Sequence, residues 1–331
     1  MSLDTFNVVR PAARNGKDAN PLALVIEEFT GMVEGTIVRR SVTDPVINIR
    51  PVKGTATVTN FAVGESDLQV IVPGQTPNGT KNQFGKNSVT VDRTILARAT
   101  LPLLDVFQTS YDARKEIATE HGKKIAKMKD QAFLIQAIKT ANLTNSTFFD
   151  TTELPGHKGG TKVTLSAAGD ENDPAKLYSA FANLFAQMEE KDVDPVADDL
   201  FIFLRPRAFY ALLEAEQVIN GQYVTAAGTS IEGHIFKAWG VPVISSANVP
   251  NWVENGAAGS VSGLMGTSYN GDYSKVVAVV FSARAVLAGS TIDLQTKVFF
   301  DDVSKHWYVD AWLAFAATSN RAEYAGAIYA A

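Results

Sequence analysis

The stretch from Ser110 to Ala141 reads as one helix, and it constrains the fold more than any other feature of the chain. Thr109 and Ser110 are N-cap candidates, and Asp112 falls in the first turn, where the helix dipole favours an acid. At 1.5 Å per residue such a helix is on the order of 45–50 Å long. Most helices stop after three or four turns, so the fold must accommodate a rod. The first half carries a narrow apolar stripe (Tyr111, Ala118, Ile125, Met128) among lysines and glutamates, whereas Ala132 to Ile138 is apolar on nearly every face. One end is expected in solvent and the other in a core.

The segments before the helix are of a different kind. The first thirty residues are polar and broken by Pro11, Gly16 and Pro21, which reads as an extended arm. Leu22 to Arg40 has apolar residues at helical spacing, predicting a short amphipathic helix interrupted near Gly31. Strand patterns follow at Thr55 to Phe61 and Ser88 to Leu96, bracketing the turn-rich tract Pro73 to Gly79. A long two-stranded hairpin has little core of its own and is marginal in water. It is expected to pack on a neighbouring molecule.

After the helix, Asn142 to Thr152 and Gly156 to Gly169 are turn-rich and allow a hairpin, and Pro174 to Glu190 has the apolar spacing of a second helix. Asp199 to Leu204 reads as a buried strand, and Pro206 suits the first turn of the helix that carries Phe209, Leu212 and Leu213. Val241 to Ile244 and Val276 to Phe281 are continuous apolar runs, as expected of strands covered on both faces. Pro174 to Arg284 therefore reads as an α/β layer. Two closing strands, Ile292 to Asp301 and His306 to Ala317, flank the turn Asp302 to Lys305.

Composition excludes several kinds of chemistry. The chain has no cysteine, which removes disulfides, thiolate metal sites and thiol catalysis. A net charge of -5 argues against a dedicated nucleic-acid binder, though not against a protein that encloses DNA without gripping it. No apolar run is long enough to span a bilayer, and Met1 to Asn20 lacks the apolar block of a signal peptide, so a cytoplasm is the expected site of synthesis. Neither a G-x-G-x-x-G nor a P-loop is present, and Gly228 to Gly233 and Gly266 to Gly271 miss the nucleophile elbow by one position. The histidines His121, His157, His234 and His306 are dispersed, and the acidic run Glu189 to Asp199 lacks the glycine and terminal glutamate of a calcium loop. No enzyme, cofactor or metal is implied.

Two motifs carry a resemblance. Phe236 to Pro250, with Gly240-Val241-Pro242-Val243 at its centre, resembles the axial-domain segment of tailed-phage major capsid proteins. Asn320 to Ile328 resembles the Arg-Pro-Glu-x-Ala-Gly-Ala-Ile tail of the podophage branch, with Ala322 at the proline position. Arg114 and Asp130 match that family's helix pattern, and Pro73-Gly74-Gln75 its hairpin turn. The chain thus resembles the short-tailed podophage major capsid proteins, of α+β class with the Hong Kong 97-like capsid fold.

That resemblance implies five regions: an N-terminal arm and short helix over 1–46, an extended β-hairpin E-loop over 47–100, and the peripheral domain with its spine helix over 101–163. A compact α/β axial domain follows over 164–284, and 285–331 completes the peripheral domain. The implied function is self-assembly into hexamers and pentamers of an icosahedral shell enclosing double-stranded phage DNA without sequence-specific binding. Implied partners are other copies, a scaffolding protein and a portal protein, with no membrane, and the implied location is the virion after assembly in the bacterial host cytoplasm. Pro73, Gly74, Gln75, Lys81 and Lys86 would be assembly contacts at the E-loop tip, although solvated loop lysines is an equal reading of the last two. Arg10, Arg14 and Lys17 would face DNA or a neighbouring subunit. Loops near Asn220 to Ser230 and Asn251 to Gly263 would line the capsomer centre. An encapsulin-like nanocompartment shell is the alternative with the same fold.

Overall fold

The computed structural model describes residues 41–70, 72–74, 76, 79, 82–103, 113–148, 154–214 and 236–331. Arg10, Arg14, Lys17, the expected helix of Leu22 to Arg40, Thr109, Ser110, Gln75, Lys81 and the loop Asn220 to Ser230 lie outside the described residues. In chain order the elements begin with β1 (Ile49–Pro51), β2 (Thr57–Val63), β3 (Phe84–Thr90), β4 (Ile95–Pro102), α1 (Ala113–Ala141) and β5 (Thr161–Thr164). They continue with α2 (Pro174–Glu189), β6 (Phe201–Leu204), α3 (Pro206–Leu213), β7 (Phe236–Ala238), β8 (Val241–Ser245), β9 (Val253–Glu254) and α4 (Val261–Met265). The last are β10 (Gly271–Asp272), β11 (Val276–Phe281), β12 (Val286–Asp301), β13 (His306–Ser319) and β14 (Ala325–Tyr329).

Packing divides the chain into two units. The first takes residues up to Asp44, Val91–Asp130 and Ser290–Phe315. In it β4 and β13 pair antiparallel, from Ile95 opposite Leu313 to Pro102 opposite His306. Arg98 faces Asp310 across this pair and grips it with two hydrogen bonds of 2.8 and 2.6 Å, the fork geometry that suits guanidinium and carboxylate. Asp130 is fully buried on α1 and accepts from Ser41 Oγ and Thr43 Oγ1, each at 2.7 Å, and from the amides of Val42 and Thr43 at 3.0 and 3.3 Å. A buried carboxylate is tolerable only with such a shell of donors, and here it fixes where the N-terminal segment enters.

The second unit takes Pro45–Thr90, Gln131–Gly289 and Ala316–Ala331. Its centre is a six-stranded sheet ordered β5-β14-β11-β6-β8-β7. Strand β11 pairs antiparallel with β6 on one side and β14 on the other, and all six of its residues are buried. Helix α2 turns Leu177, Phe181, Leu184 and Met188 inward, and its N-terminus is closed by Asp173, whose carboxylate accepts from the amides of Ala175 and Lys176. Strands β7 and β8 form a two-residue hairpin on Trp239 and Gly240, both at positive φ (53° and 77°), the turn whose twist matches that of the strands. The Trp239 ring packs on Tyr178 and Phe185 of α2, at centroid distances of 4.5 and 5.5 Å.

The rod reading of the helix holds through Ala141, with Ala132 to Ile138 buried on all sides and Glu120, Lys123, Lys124 and Lys127 exposed. Three local expectations are corrected. The strand expected over Ser88 to Leu96 is two strands, because Ser88 to Thr90 pair with β2 while Ile95 begins a pairing with β13, and residues 91–94 make the change of partner. Among the described residues of the turn-rich segment after α1 there is no hairpin, and the one strand there, β5, lies parallel to β14 at the far end of the chain. The α/β layer expected over Pro174 to Arg284 therefore also contains β5 and β14.

Candidate assembly interface

Strands β2 and β3 form a two-stranded ribbon with two unlike faces. Val58 opposite Val89, Asn60 opposite Asn87, and Ala62 opposite Gly85 turn toward the unit, whereas Phe61 opposite Lys86 and Val63 opposite Phe84 turn away from it. The outward aromatics are 71% and 75% exposed for Phe61 and Phe84. Beyond the ribbon, Leu68 and Val70 are more than nine-tenths exposed. Scattered exposed apolar residues need no explanation, but a contiguous apolar row on a thin ribbon marks an interaction surface.

The inward face is anchored by amides. Asn60 Nδ2 donates to Asn320 Oδ1 at 3.0 Å, and Asn87 Nδ2 donates to the Ser319 carbonyl at 2.7 Å. Asn320 also donates to the Arg284 carbonyl at 2.9 Å and receives Thr147 Oγ1 on its own carbonyl. Gly85 lets the ribbon approach closely, since a Cβ there would sit 2.7 Å from Phe148. Farther out, the Glu65 amide donates to the Pro155 carbonyl at 2.8 Å. The root of the ribbon thus rests on its own unit, in addition to the neighbouring molecule on which the hairpin is expected to pack.

The tail motif occupies a structural position beside this root. Arg321 and Glu323 form an ion pair of 2.7 Å, Glu323 is buried, and Gly326 lies in β14 against Leu184 of α2. Of the expected tip residues, Pro73 and Gly74 lie in a turn where Gly74 has φ 93°, a value that glycine adopts without strain. Lys86 is in β3 opposite Phe61, exposed but within the paired ribbon. The segment Asn251 to Gly263 is held by Glu254, whose buried carboxylate accepts from Trp252 Nε1 at 2.5 Å and from the amide and hydroxyl of Ser262 at 3.1 and 2.7 Å. Burial raises the Glu254 carboxyl, but these hydrogen bonds outweigh it, and the net shift is downward.

Of the segments weighed for catalysis or metal, Gly228 to Gly233 lies outside the described residues, and the others have structural uses. Thr267 to Tyr269 is a single 3-10 turn whose Ser268 carbonyl accepts from Lys139 Nζ at 2.6 Å. In the acidic run, Asp194 accepts from the amides of Val196 and Ala197, and Asp198 pairs with Arg284 at 2.8 Å. Among the described residues no three His, Asp or Glu side chains gather into a metal site, and no helix is long and apolar enough to cross a membrane. Sequence reasoning missed Asn60 and Asn87 as anchors; the available signal was asparagine, depleted in strands, at inward positions of both strands.

The model of the Gp10A-like major capsid proteins matches residues 87–301. The chain belongs to that family. This capsid protein is a shell-forming structural protein of the phage virion rather than an enzyme. Its fold is similar to that of the capsid of the cyanophage P-SCSP1u, at 18% identity over 96% of this chain and 91% of that one, with a TM-score of 0.71. It is equally similar to the mature capsid of bacteriophage PhiM1, at 18% identity over 96% and 90% of the two chains, TM-score 0.72. The virus-like particle from Pyrococcus furiosus matches at 9% identity over 92% and 98%, TM-score 0.54. These likenesses establish the Hong Kong 97-like capsid fold, and the family match does not favour the nanocompartment alternative. No curated protein matches.

Proposed function

We propose that the capsid protein assembles as hexamers and pentamers of an icosahedral shell around double-stranded DNA, with the β2–β3 ribbon and its continuation acting as an E-loop laid over the neighbouring subunit's peripheral domain. The observation that carries this reading is the ribbon's divided character: an amide-anchored inner face and an outer row of Phe61, Val63 and Phe84 open to solvent. Each such side chain, once fully covered by a neighbour, contributes about 1.5–3 kcal/mol. Heterologous contacts of this kind close into rings when the rotation between subunits allows it.

In the same reading 47–100 is the E-loop, 101–163 the first part of the peripheral domain with α1 as its spine, and 164–284 the axial domain. Residues 285–331 return to the peripheral domain, with β14 contributed to the axial sheet. Pro73, Gly74, Gln75, Lys81 and Lys86 contact the neighbour, and Arg10, Arg14 and Lys17 face DNA or an adjacent subunit's acids. A scaffolding protein and a portal complete the assembly, which takes place in the bacterial host cytoplasm.

Negative-stain electron microscopy of the purified chain, with and without a scaffolding protein co-expressed from the same genome, tests this. Closed shells of uniform diameter that require the scaffold are expected. Monomers or small discrete oligomers under both conditions would overturn the reading.

A further inference from the structure

Beside the ribbon root, within the second unit, lies a cleft of about 490 Å³. The cationic residues among its lining are Arg50, Arg284 and Arg321, with no aspartate or glutamate, and part of its wall is apolar, formed by Phe61, Val63 and Leu287. Two of the guanidiniums are fixed in advance. Arg284 and Arg321 both lie over the Tyr324 ring, at 5.4 and 4.9 Å from its centroid, and each is also held by a carboxylate, Asp198 and Glu323 respectively. Arg50, in β1, is exposed and has no ion-pair partner among the described residues.

A cleft of this volume accepts a few side chains rather than a folded element. Cations beside an apolar wall suit a peptide that carries carboxylates next to an aliphatic side chain, whereas nucleic-acid phosphates would leave the apolar wall without a role. The chain displays such a peptide in the turn between β12 and β13. Val303 is 93% exposed there and is preceded by Asp301 and Asp302. The Asp301 carboxylate accepts from Ser304 Oγ at 2.7 Å and from the Val303 amide at 3.1 Å, so the tip is ordered before it meets a partner. Among the described residues Asp302 has only a solvent-exposed pairing with Lys305 at 3.2 Å, which holds it weakly.

We propose that the cleft receives the β12–β13 turn of a second copy of this chain, with Val303 against the apolar wall and Asp302 against Arg50. The proposal rests on the shell-forming reading and goes beyond it by naming one contact between copies. It also gives the cluster of Arg284, Tyr324 and Arg321 a use, as a rigid cationic wall beside the free Arg50.

Because both partners lie on one chain, a charge exchange tests the contact directly. Shell yield and assembly rate are measured for wild type, Arg50→Glu, Asp302→Arg and the double variant, with thermal unfolding of each subunit as the control for folding. Each single variant is expected to slow assembly about tenfold, equivalent to the loss of about 1.4 kcal/mol per contact. The double variant is expected to return to within about twofold of wild type. Unchanged assembly in either single variant, or a double variant no better than the singles, overturns the proposal. A second measurement uses the absence of native cysteine: Asn48→Cys combined with Val303→Cys should give disulfide-linked multimers in oxidised shells, and shells with no such links would overturn it. If wild type itself forms no shells with or without scaffold, the shell reading falls and takes this contact with it. If wild type assembles and the exchange has no effect, only this contact falls.

Discussion

Strand β11 and the β2–β3 ribbon are both short strand structures within one unit, yet they end in opposite environments. All six residues of β11 are buried, with a paired strand on each side, and the run Val-Val-Ala-Val-Val-Phe has no polar position. The ribbon alternates instead, with an inner row that its own unit covers and an outer row led by Phe61 and Phe84 that it leaves open. A strand covered on both faces must be apolar throughout. A ribbon that keeps Phe61, Val63 and Phe84 on its open face is only half covered by its own chain, and the proposed assembly gives the other half to another copy.

The comparison can be broken from either end. The largest effect is expected for Phe281→Ala in β11: the side chain is fully buried and stacked on Phe203 at 5.1 Å, and its removal should cost about 3–5 kcal/mol in urea unfolding of the subunit. A loss under about 1 kcal/mol would mean that the sheet centre is not the stability core. Asn320→Ala removes the acceptor of Asn60 and the donor to the Arg284 carbonyl, and should cost about 2 kcal/mol. Hydrogen exchange should then quicken in β2 and β3 while β11 stays protected, and equal loss in both would contradict the separate anchoring of the ribbon.

A smaller, pH-dependent effect is expected at Glu254. Its folded-state carboxyl is depressed, so it contributes stability that is present above the unfolded value of about 4.3 and lost as pH falls through the folded one. Glu254→Gln should flatten the acid side of the stability curve, and a curve that keeps its wild-type slope would remove the role assigned to that carboxylate. The smallest effect on the subunit is expected for Phe61→Ala, below about 0.5 kcal/mol because the ring is already largely in solvent. Shell yield should nevertheless drop clearly, and full yield would show that the open face is not an interface.

Much of the fold was legible where a local pattern carries its own environment. The rod of α1, the inward stripe of α2 and the continuous run of β11 follow from periodicity alone, because burial on one face or all faces leaves a direct trace in residue order. The tail motif was legible as a motif, but its work was not: Gly326 sits under Leu184 in a strand between β5 and β11. The candidate interface was legible in outline, as a hairpin too thin to stand alone. Its anchors were hidden, because the Asn60 and Asn87 side chains find their partners at Asn320 and Ser319, far along the chain.

The sequence by itself therefore determined the kinds of element, the absence of cysteine chemistry and the family likeness, since each is a property of residues read in order. Tertiary structure alone decided that β5 pairs with β14, that β3 and β4 part company across residues 91–94, and that Asp130 gathers Ser41, Val42 and Thr43. The physical reason is common to all three. A backbone edge or a buried carboxylate specifies only that it must be paired, and which distant donor or strand satisfies it is settled by where the packed core brings the chain.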